Sequence, residues 1–175
     1  MSSNSIPDSA FHGVIAPIAS VDVDVLFVPV FGADDRLEDL AGLDDAVGGD
    51  WHRAVESGEF SHRVFAGVTA RVVAEGWKAR RVHFVAAGPV SEADPERLRR
   101  VAAVCGYASR DQAASTIGLV VRRASMPMMA AAAADGLSAV EFRAGTYKKD
   151  AERATPPVSR VEIVAAQGDA NAIAN

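Results

Sequence analysis

Two kinds of side chain in this sequence could hold a divalent cation, a group of aspartates and four histidines. The aspartates are Asp34, Asp35, Asp39, Asp44 and Asp45. Carboxylates bind Ca²⁺ or Mg²⁺ when several of their oxygens meet in one loop. Asp35, with Glu38 three residues later, instead has the pattern of a helix start, and the apolar spacing predicts a helix over 36–47. The acids would then be spread along that helix, and we predict no metal site among them.

The histidines are scattered along the chain. They are His12, His52, His62 and His83. Zinc ligands commonly stand four residues apart on a helix or at another short spacing, and no pair of these histidines does. His83 alternates with apolar neighbours, which favours a structural role. The sequence also lacks Gly-x-Gly-x-x-Gly, Walker and Gly-x-Ser-x-Gly motifs. We therefore predict no catalytic residue, no metal ligand and no cofactor.

A further chemistry to consider is the binding of a small ligand where strands end. Gly32 follows an apolar segment at 28–31, and Ala87 and Gly88 close another at 81–88. Open α/β sheets bind ligands beyond the carboxyl ends of their strands, where small residues allow close approach to the backbone. Gly32, Ala87 and Gly88 are therefore the candidate ligand-binding residues. The alternative is that these glycines serve only the turns.

Basic residues form three small groups that could contact phosphates. They are Arg97, Arg99 and Arg100; Arg122 and Arg123; and Lys148 and Lys149. Phosphate contacts work through release of counterions, and a nucleic-acid surface usually adds interleaved aromatic residues. This chain has a formal net charge of −5 and no such interleaving. We interpret the basic residues as exposed, solvated surface and expect no nucleic-acid partner.

The order of apolar segments predicts strands that alternate with helices. Strands are expected near 14–19, 23–30, 64–74, 81–86, 116–121 and 160–165. Helices are expected over 36–47 and 50–57, from Asp94 and Pro95 onward, and over 126–142. Asp94 is a favourable N-cap, and Pro95 suits the first helical turn. Such alternation is typical of an α/β fold with a mainly parallel sheet.

Composition places this chain of 175 residues among single-domain globular proteins. We expect a flexible N-terminus at 1–12, one domain at 13–166 and a flexible tail at 167–175. No apolar run reaches the length of a membrane span, and the polar start is unlike a signal peptide, so we expect a cytoplasmic location and no membrane partner. The single cysteine, Cys105, cannot form an internal disulfide, and its apolar context predicts a small buried side chain.

A family resemblance rests mainly on residues 135–149. They read Asp-Gly-Leu-Ser-Ala-Val-Glu-Phe-Arg-Ala-Gly-Thr-Tyr-Lys-Lys after an alanine run at 130–134. A glycine, an aromatic six residues on and Tyr-Lys five further resemble the closing signature of the N-terminal domain of leucyl aminopeptidases, the M17 metallopeptidases. Segments 24–31 and 80–88 are similar to that domain's early and central strands. The resemblance covers about 20–165 and implies a three-layer α/β/α fold, shaped like a macro domain.

The sequence departs from the family pattern at several positions. Val140 stands where a glycine is expected, Ala144 where an aromatic is expected, and His62-Arg63 replace a Gly-Lys pair. The family's two catalytic metals are held in a second, C-terminal domain, around an Asn-Thr-Asp-Ala-Glu-Gly-Arg stretch. Residues 150–153, Asp-Ala-Glu-Arg, share only part of that stretch. We interpret them as a solvated loop and predict a diverged domain without peptidase chemistry.

Three hypotheses of function remain open. The first is a non-catalytic, stand-alone relative of the M17 N-terminal domain that acts through protein contacts, as a homo-oligomer or with a separately encoded peptidase catalytic domain. The second is a macro-like module that binds a nucleotide or ADP-ribose type ligand near Gly32 and Gly88. The third is a truncated aminopeptidase gene product that merely inherits the description of a metallopeptidase.

Overall fold

The computed structural model describes residues 10–122, 126–138 and 158–166. A six-stranded sheet in these ranges has the strand order β1-β6-β5-β2-β4-β3. The strands are β1 (Phe11–Ala16), β2 (Val25–Phe31), β3 (Gly67–Arg71), β4 (Arg81–Gly88), β5 (Thr116–Val121) and β6 (Arg160–Ala166). The helices are α1 (Leu43–Ala46), α2 (Asp50–Ser57), α3 (Pro95–Asp111) and α4 (Met126–Ser138).

Each strand is parallel to its neighbours except β3, which pairs antiparallel with β4 at one edge. β2 is buried along its whole length, as expected of a continuous apolar strand with helices over both faces. Its alternate side chains enter opposite core layers: Leu26 lies with the α2 side, and Phe27 with the α3 side. The predicted α/β fold with a mainly parallel mixed sheet is confirmed.

The two faces of the sheet carry different helices, which makes three layers. On one face α1 and α2 cover the sheet, and Trp51 packs against Phe84 with ring centroids 4.5 Å apart. On the other face lie α3 and α4, whose buried residues include Leu98 and Leu137. The three-layer α/β/α arrangement implied by the family resemblance is therefore present. No helix in the described ranges is long and apolar enough to cross a membrane.

Two local features shape the pair of helices α3 and α4. Asp94 caps α3 as predicted, since its carboxylate accepts a hydrogen bond of 2.7 Å from the backbone N–H of Arg97. On α4, a Cβ added to Gly136 would lie 2.1 Å from the backbone oxygen of Arg99 and 2.8 Å from Cβ of Ala102. Only a glycine lets the two helix backbones approach this closely.

Several predicted boundaries are wrong. The helix expected over 36–47 is reduced to α1, Leu43–Ala46, because Leu37 has a φ of 57° and hydrogen bonds to Asp35 hold the preceding segment in turns. The first strand is Phe11–Ala16 and not 14–19, because Pro17 lacks an N–H and starts a 3₁₀ turn. This strand begins two residues ahead of the expected domain boundary. The strand expected over 64–74 is only Gly67–Arg71.

Other elements match their predictions. The helix expected over 50–57 is α2, and Gly58 ends it with a left-handed φ of 75°. Strands β4 and β5 begin at the expected residues, and β4 extends to Gly88. The predicted helix over 126–142 is described as far as Ser138. Residues 139–142 of that helix lie outside the described residues.

Candidate functional site

The carboxyl ends of β2, β4 and β5 lie side by side at one end of the sheet. After β2 the chain continues to α1 and α2 on one face, whereas after β4 and β5 it continues to α3 and α4 on the other. Oppositely directed connections leave a crevice at the carboxyl ends, and open α/β sheets bind their ligands there. This crevice is therefore the candidate functional site of the fold.

Arg122 occupies the crevice between β2 and β5. It directly follows β5, and one Nη donates to the carbonyl oxygen of Pro29 and to Oδ2 of Asp35, at 2.7 Å each. The other Nη donates to Oδ1 of Asp35 at 2.9 Å, and Nε donates to Oδ2 of Asp39 at 2.7 Å. The side chains of Arg122 and Asp35 are 0% exposed. We call these three residues the Arg122–Asp35–Asp39 cluster.

The carboxylate of Asp35 also organises the turn after β2. It accepts hydrogen bonds from the backbone N–H of Phe31 at 2.8 Å and of Leu37 at 3.1 Å. Burial alone would raise the pKa of Asp35, but the hydrogen bonds from Arg122 and Phe31 lower it overall. Burial likewise opposes the charge of Arg122, yet hydrogen bonds to Asp39 and Asp35 leave its pKa raised. Both groups are charged at neutral pH.

The structure corrects two predictions at this place. Arg122, interpreted as exposed basic surface, is 1% exposed. Asp35 and Asp39 were placed along a helix, whereas Asp35 is buried and both bind the arginine. The contacts join residues 83 to 93 positions apart, so local sequence patterns carried no signal for them. The arginine pair 122–123 at the end of an apolar strand is the only hint that the sequence offered.

The predicted ligand-binding residues lie near this edge, as expected. Gly32 has a φ of 77°, and a Cβ placed on it would meet no heavy atom within 4 Å. Gly88 has a φ of 86° and is paired in register with Phe31. A Cβ on Gly88 would lie 3.5 Å from the guanidinium carbon of Arg97. Ala87 is fully buried in the core layer under α3. A binding role for these three residues stays a prediction.

Arg97 fills part of the space beyond β4. Its guanidinium carbon lies 6.0 Å from the ring centroid of Phe65, and the group forms an ion pair with Glu92. Its side chain is 20% exposed. The arginine therefore narrows the crevice at Gly88, as Arg122 does between β2 and β5.

Two pockets lie on the α2 face. One, of about 390 Å³, borders the turn after β2 and is lined by Ala33, Asp35, Arg36, Asp44, Trp51, His52, Val55 and His62. It brings His52 and His62 to one pocket, which the sequence did not predict. The other, of about 330 Å³, lies between α2 and β3. We call it the α2–β3 groove, and its lining includes Trp51, Ala54, Ser57, Glu59, Val68 and Ala70.

His83 and Cys105 have structural surroundings. Burial lowers the pKa of His83 to about 4, and Nδ1 lies 2.7 Å from Oγ1 of Thr69. A Cβ on Gly67 would lie 2.3 Å from Nε2 of His83, so the imidazole packs over this glycine. Cys105 is 0% exposed, and burial raises the pKa of its thiol, which makes it unreactive. The predicted structural roles of both residues fit this packing.

Metal ligation was not predicted, and the described part of the chain contains no group of three or more His, Cys, Asp or Glu residues able to hold a metal ion. Residues 150–153, which share part of a family metal motif, lie outside the described ranges. Arg123, Lys148 and Lys149 of the basic groups lie outside them as well.

Solved structures of other proteins are similar to this fold. A mutant of tomato leucine aminopeptidase matches with a TM-score of 0.68 at 15% identity, over 90% of this chain and 32% of that one. A Trypanosoma brucei macrodomain in complex with ADP-ribose matches with a TM-score of 0.59 at 12% identity, over 89% of this chain and 63% of that one. The bottromycin maturation enzyme BotP matches with a TM-score of 0.52 at 23% identity, over 80% of this chain and 27% of that one.

These similarities concern the fold alone, and this chain spans about a third of the tomato enzyme. The macro-like α/β fold implied by the sequence resemblance is confirmed by them. No curated protein sequence matches the chain. A family model for the N-terminal domain of the cytosol aminopeptidase family matches residues 27–151. The chain therefore belongs to the cytosol aminopeptidase family, through the N-terminal domain of that family.

Proposed function

We propose that this domain has no peptidase chemistry of its own and acts through contacts with other protein chains. The partner would be a further copy or the catalytic domain of a peptidase, whose activity or assembly the domain would regulate. The observation that carries the proposal is the Arg122–Asp35–Asp39 cluster, which fills the crevice between β2 and β5 with the protein's own side chains.

The energetics of the cluster support this reading. A ligand that entered between β2 and β5 would have to displace Arg122 from Asp35, and both side chains are 0% exposed. Separating a buried, hydrogen-bonded pair of charges costs about 3–5 kcal/mol. Such a ligand would have to offset that cost before it gained any affinity. Since the protein's own side chains already occupy this place, we favour contact through the outer surface over the binding of a small molecule there.

An aminopeptidase assay tests the catalytic part of the proposal. The purified protein would be incubated with leucine amide in the presence of Mn²⁺ or Zn²⁺, and free leucine would be measured. We expect no release above the metal-only control. Release of leucine that a chelator abolishes would refute the proposal, because it would require a working metal centre on this chain.

A sedimentation experiment tests the contact part. The protein would be centrifuged alone and mixed with a cytosol aminopeptidase catalytic domain from the same organism. We expect either a self-associated species or a co-sedimenting complex, with a change in the kcat/KM of the peptidase in the second case. A lone monomer in both runs, with unchanged peptidase kinetics, would contradict a role in protein contact.

A second candidate function is the binding of a ligand of the ADP-ribose type at the outer part of the same edge. The open space above Gly32 and the left-handed backbone at Gly32 and Gly88 favour it. A ligand that binds only the folded state raises stability by RT ln(1 + [L]/Kd). A thermal-shift measurement with ADP-ribose therefore decides the matter. No shift at about millimolar ligand would exclude it.

A further inference from the structure

The edge strand β3 presents backbone hydrogen-bonding groups away from the sheet. Ala86 donates to the carbonyl of Ala66 at 2.8 Å, and Val72 donates to the carbonyl of Arg80 at 3.1 Å. In an antiparallel pair, bonded and non-bonded positions alternate, so every second residue of β3 turns its N–H and C=O outward. The outward residues are Gly67, Thr69 and Arg71. Within the described ranges, no other segment pairs with this edge.

The α2–β3 groove lies between α2 and the edge strand β3, and both polar and apolar side chains line it. Its volume is about 330 Å³. Trp51, which is 7% exposed, lines it, and Phe84 lies buried beneath it. Ala54 from α2 and Ala70 from β3 form the walls, and Ser57 stands exposed at the rim. This volume is enough for one or two side chains of a partner, and it lies at the lower end of the range of about 300–1,000 Å³ that is typical of ligand pockets.

The charges at the rim of the groove indicate the sign of the charge that a partner would carry. Asp50 and Arg53 are paired with each other. Glu59 lines the groove without an ion pair in the described part of the chain. The side chains that line the groove thus carry a net charge of −1, from Asp50 and Glu59 against Arg53, within a chain of net charge −5. A basic side chain is attracted there, whereas a second copy of this acidic protein is repelled.

We propose that the occupant of this surface is an extended segment of a partner protein that adds a strand to β3. Backbone hydrogen bonds to Gly67, Thr69 and Arg71 would hold the segment, since main-chain pairing gives affinity in strand addition while pockets read alternate side chains. One or two apolar side chains enter the α2–β3 groove, and a neighbouring Lys or Arg pairs with Glu59. This inference rests on the proposed function and names the class of partner.

A titration with a defined peptide tests the inference. The probe is the capped heptapeptide Lys-Thr-Leu-Thr-Leu-Thr-Lys, which places both leucines and both lysines on one side of a strand. Binding would be followed by backbone amide shifts in ¹H–¹⁵N spectra of the folded protein. We expect the largest shifts at Gly67, Thr69 and Arg71. The same peptide with Glu in place of Lys should bind more weakly.

Two variants of α2 locate the binding site. Ser57→Arg places a long side chain over the α2–β3 groove and should weaken the peptide about tenfold. The matched control is His52→Arg, at a position on the same helix that is also exposed and that lines the other pocket. It should change Kd by less than about twofold. Glu59→Gln should weaken the Lys peptide and narrow its advantage over the Glu peptide.

The outcomes separate this inference from the proposed function. No amide shift at about 1 mM peptide, equal binding to both α2 variants, or shifts confined to other elements would each overturn the peptide site. Association of the protein with itself through β3, blocked by Ser57→Arg, would overturn it too, although the proposed contact function would survive. A complex with a partner protein that Ser57→Arg does not weaken would likewise overturn the peptide site and leave the proposed contact function standing.

Discussion

Replacing Arg122 by methionine should destabilise the protein more than the same change at an exposed arginine. The substitution keeps much of the side-chain length but removes the guanidinium from the Arg122–Asp35–Asp39 cluster. Asp35 would lose the guanidinium donors and keep the N–H donors of Phe31 and Leu37. Its carboxylate is 0% exposed, so water would not replace the lost partner. The expected loss of stability comes from a buried carboxylate that has lost its guanidinium partner.

The size of the effect follows from that burial. Removing one partner of a buried ion pair costs about 3–5 kcal/mol. A domain is typically stable by about 5–15 kcal/mol, so this is a large share of the whole. With a urea m-value of about 1–3 kcal/mol/M, the midpoint of unfolding should fall by about 2 M. The double variant Asp35→Asn/Arg122→Met should lose less than the sum of the single losses, because the two groups interact.

The loss should also depend on pH. In the wild type the pKa of Asp35 is lowered from its ordinary value of 3.8, so its contribution is complete above that value. The contribution is lost as the pH falls through the lower folded-state pKa. Without Arg122, burial would raise the pKa of Asp35, and protonation would then relieve the buried charge. The difference in the free energy of unfolding between wild type and Arg122→Met should therefore be largest at neutral pH and smaller at acidic pH.

Urea unfolding followed by tryptophan fluorescence measures this, since Trp51 is 7% exposed in the folded state. The matched control is Arg100→Met, which removes an exposed arginine that pairs with Glu96 on α3. Exposed pairs contribute little, so this control should unfold near the wild-type midpoint. If Arg122→Met cost no more than Arg100→Met, or if its cost did not change with pH, the reasoning about the cluster would be refuted.

Three further measurements probe the packing. Gly136→Ala should destabilise the protein by about 1–3 kcal/mol in urea, because its Cβ would collide with the backbone oxygen of Arg99; an unchanged midpoint would contradict that contact. Asp94→Ala should cost about 1 kcal/mol through loss of the α3 cap, and Asp94→Asn, which still caps, should cost less. His83, with a pKa lowered to about 4, should give imidazole NMR signals of a neutral ring down to pH 5. Its contribution to stability should be present above pH 6.5 and be lost between 6.5 and 4; titration of the ring near 6.5 would disprove this.

Strands with a continuous apolar sequence were predictable because their conformation and burial depend little on which distant residues they contact. Segments such as 25–31 and 84–88 are apolar enough to be buried on both faces, whatever their neighbours are. The start of α3 was predictable for a different reason, since Asp94 caps it through a hydrogen bond from Arg97, only three residues further along the chain. Glycine at position 58 likewise ended α2 by its own left-handed backbone.

The segment 36–42 was mispredicted because its conformation is set from a distance. Its apolar spacing favours a helix, but the carboxylate of Asp35 binds Arg122, which lies 87 positions away in sequence. That carboxylate also holds the N–H groups of Phe31 and Leu37, and so the turn is shaped around a buried ion pair. The helix propensities of single residues contribute little free energy, and breaking a buried ion pair costs more than several of them together.

The sequence by itself determined the α/β class, the parallel central strands and the family, because these depend on the order and apolar periodicity of local segments. It also placed Gly32 and Gly88 near one edge of the sheet, since parallel strands end on the same side. Only the tertiary structure decided what fills that edge. Arg122 meets Asp35 and Asp39 through chain folding alone, and the α2–β3 groove exists only because helix and strand pack side by side. Contacts between distant residues are properties of the packed chain, and no short stretch of sequence contains them.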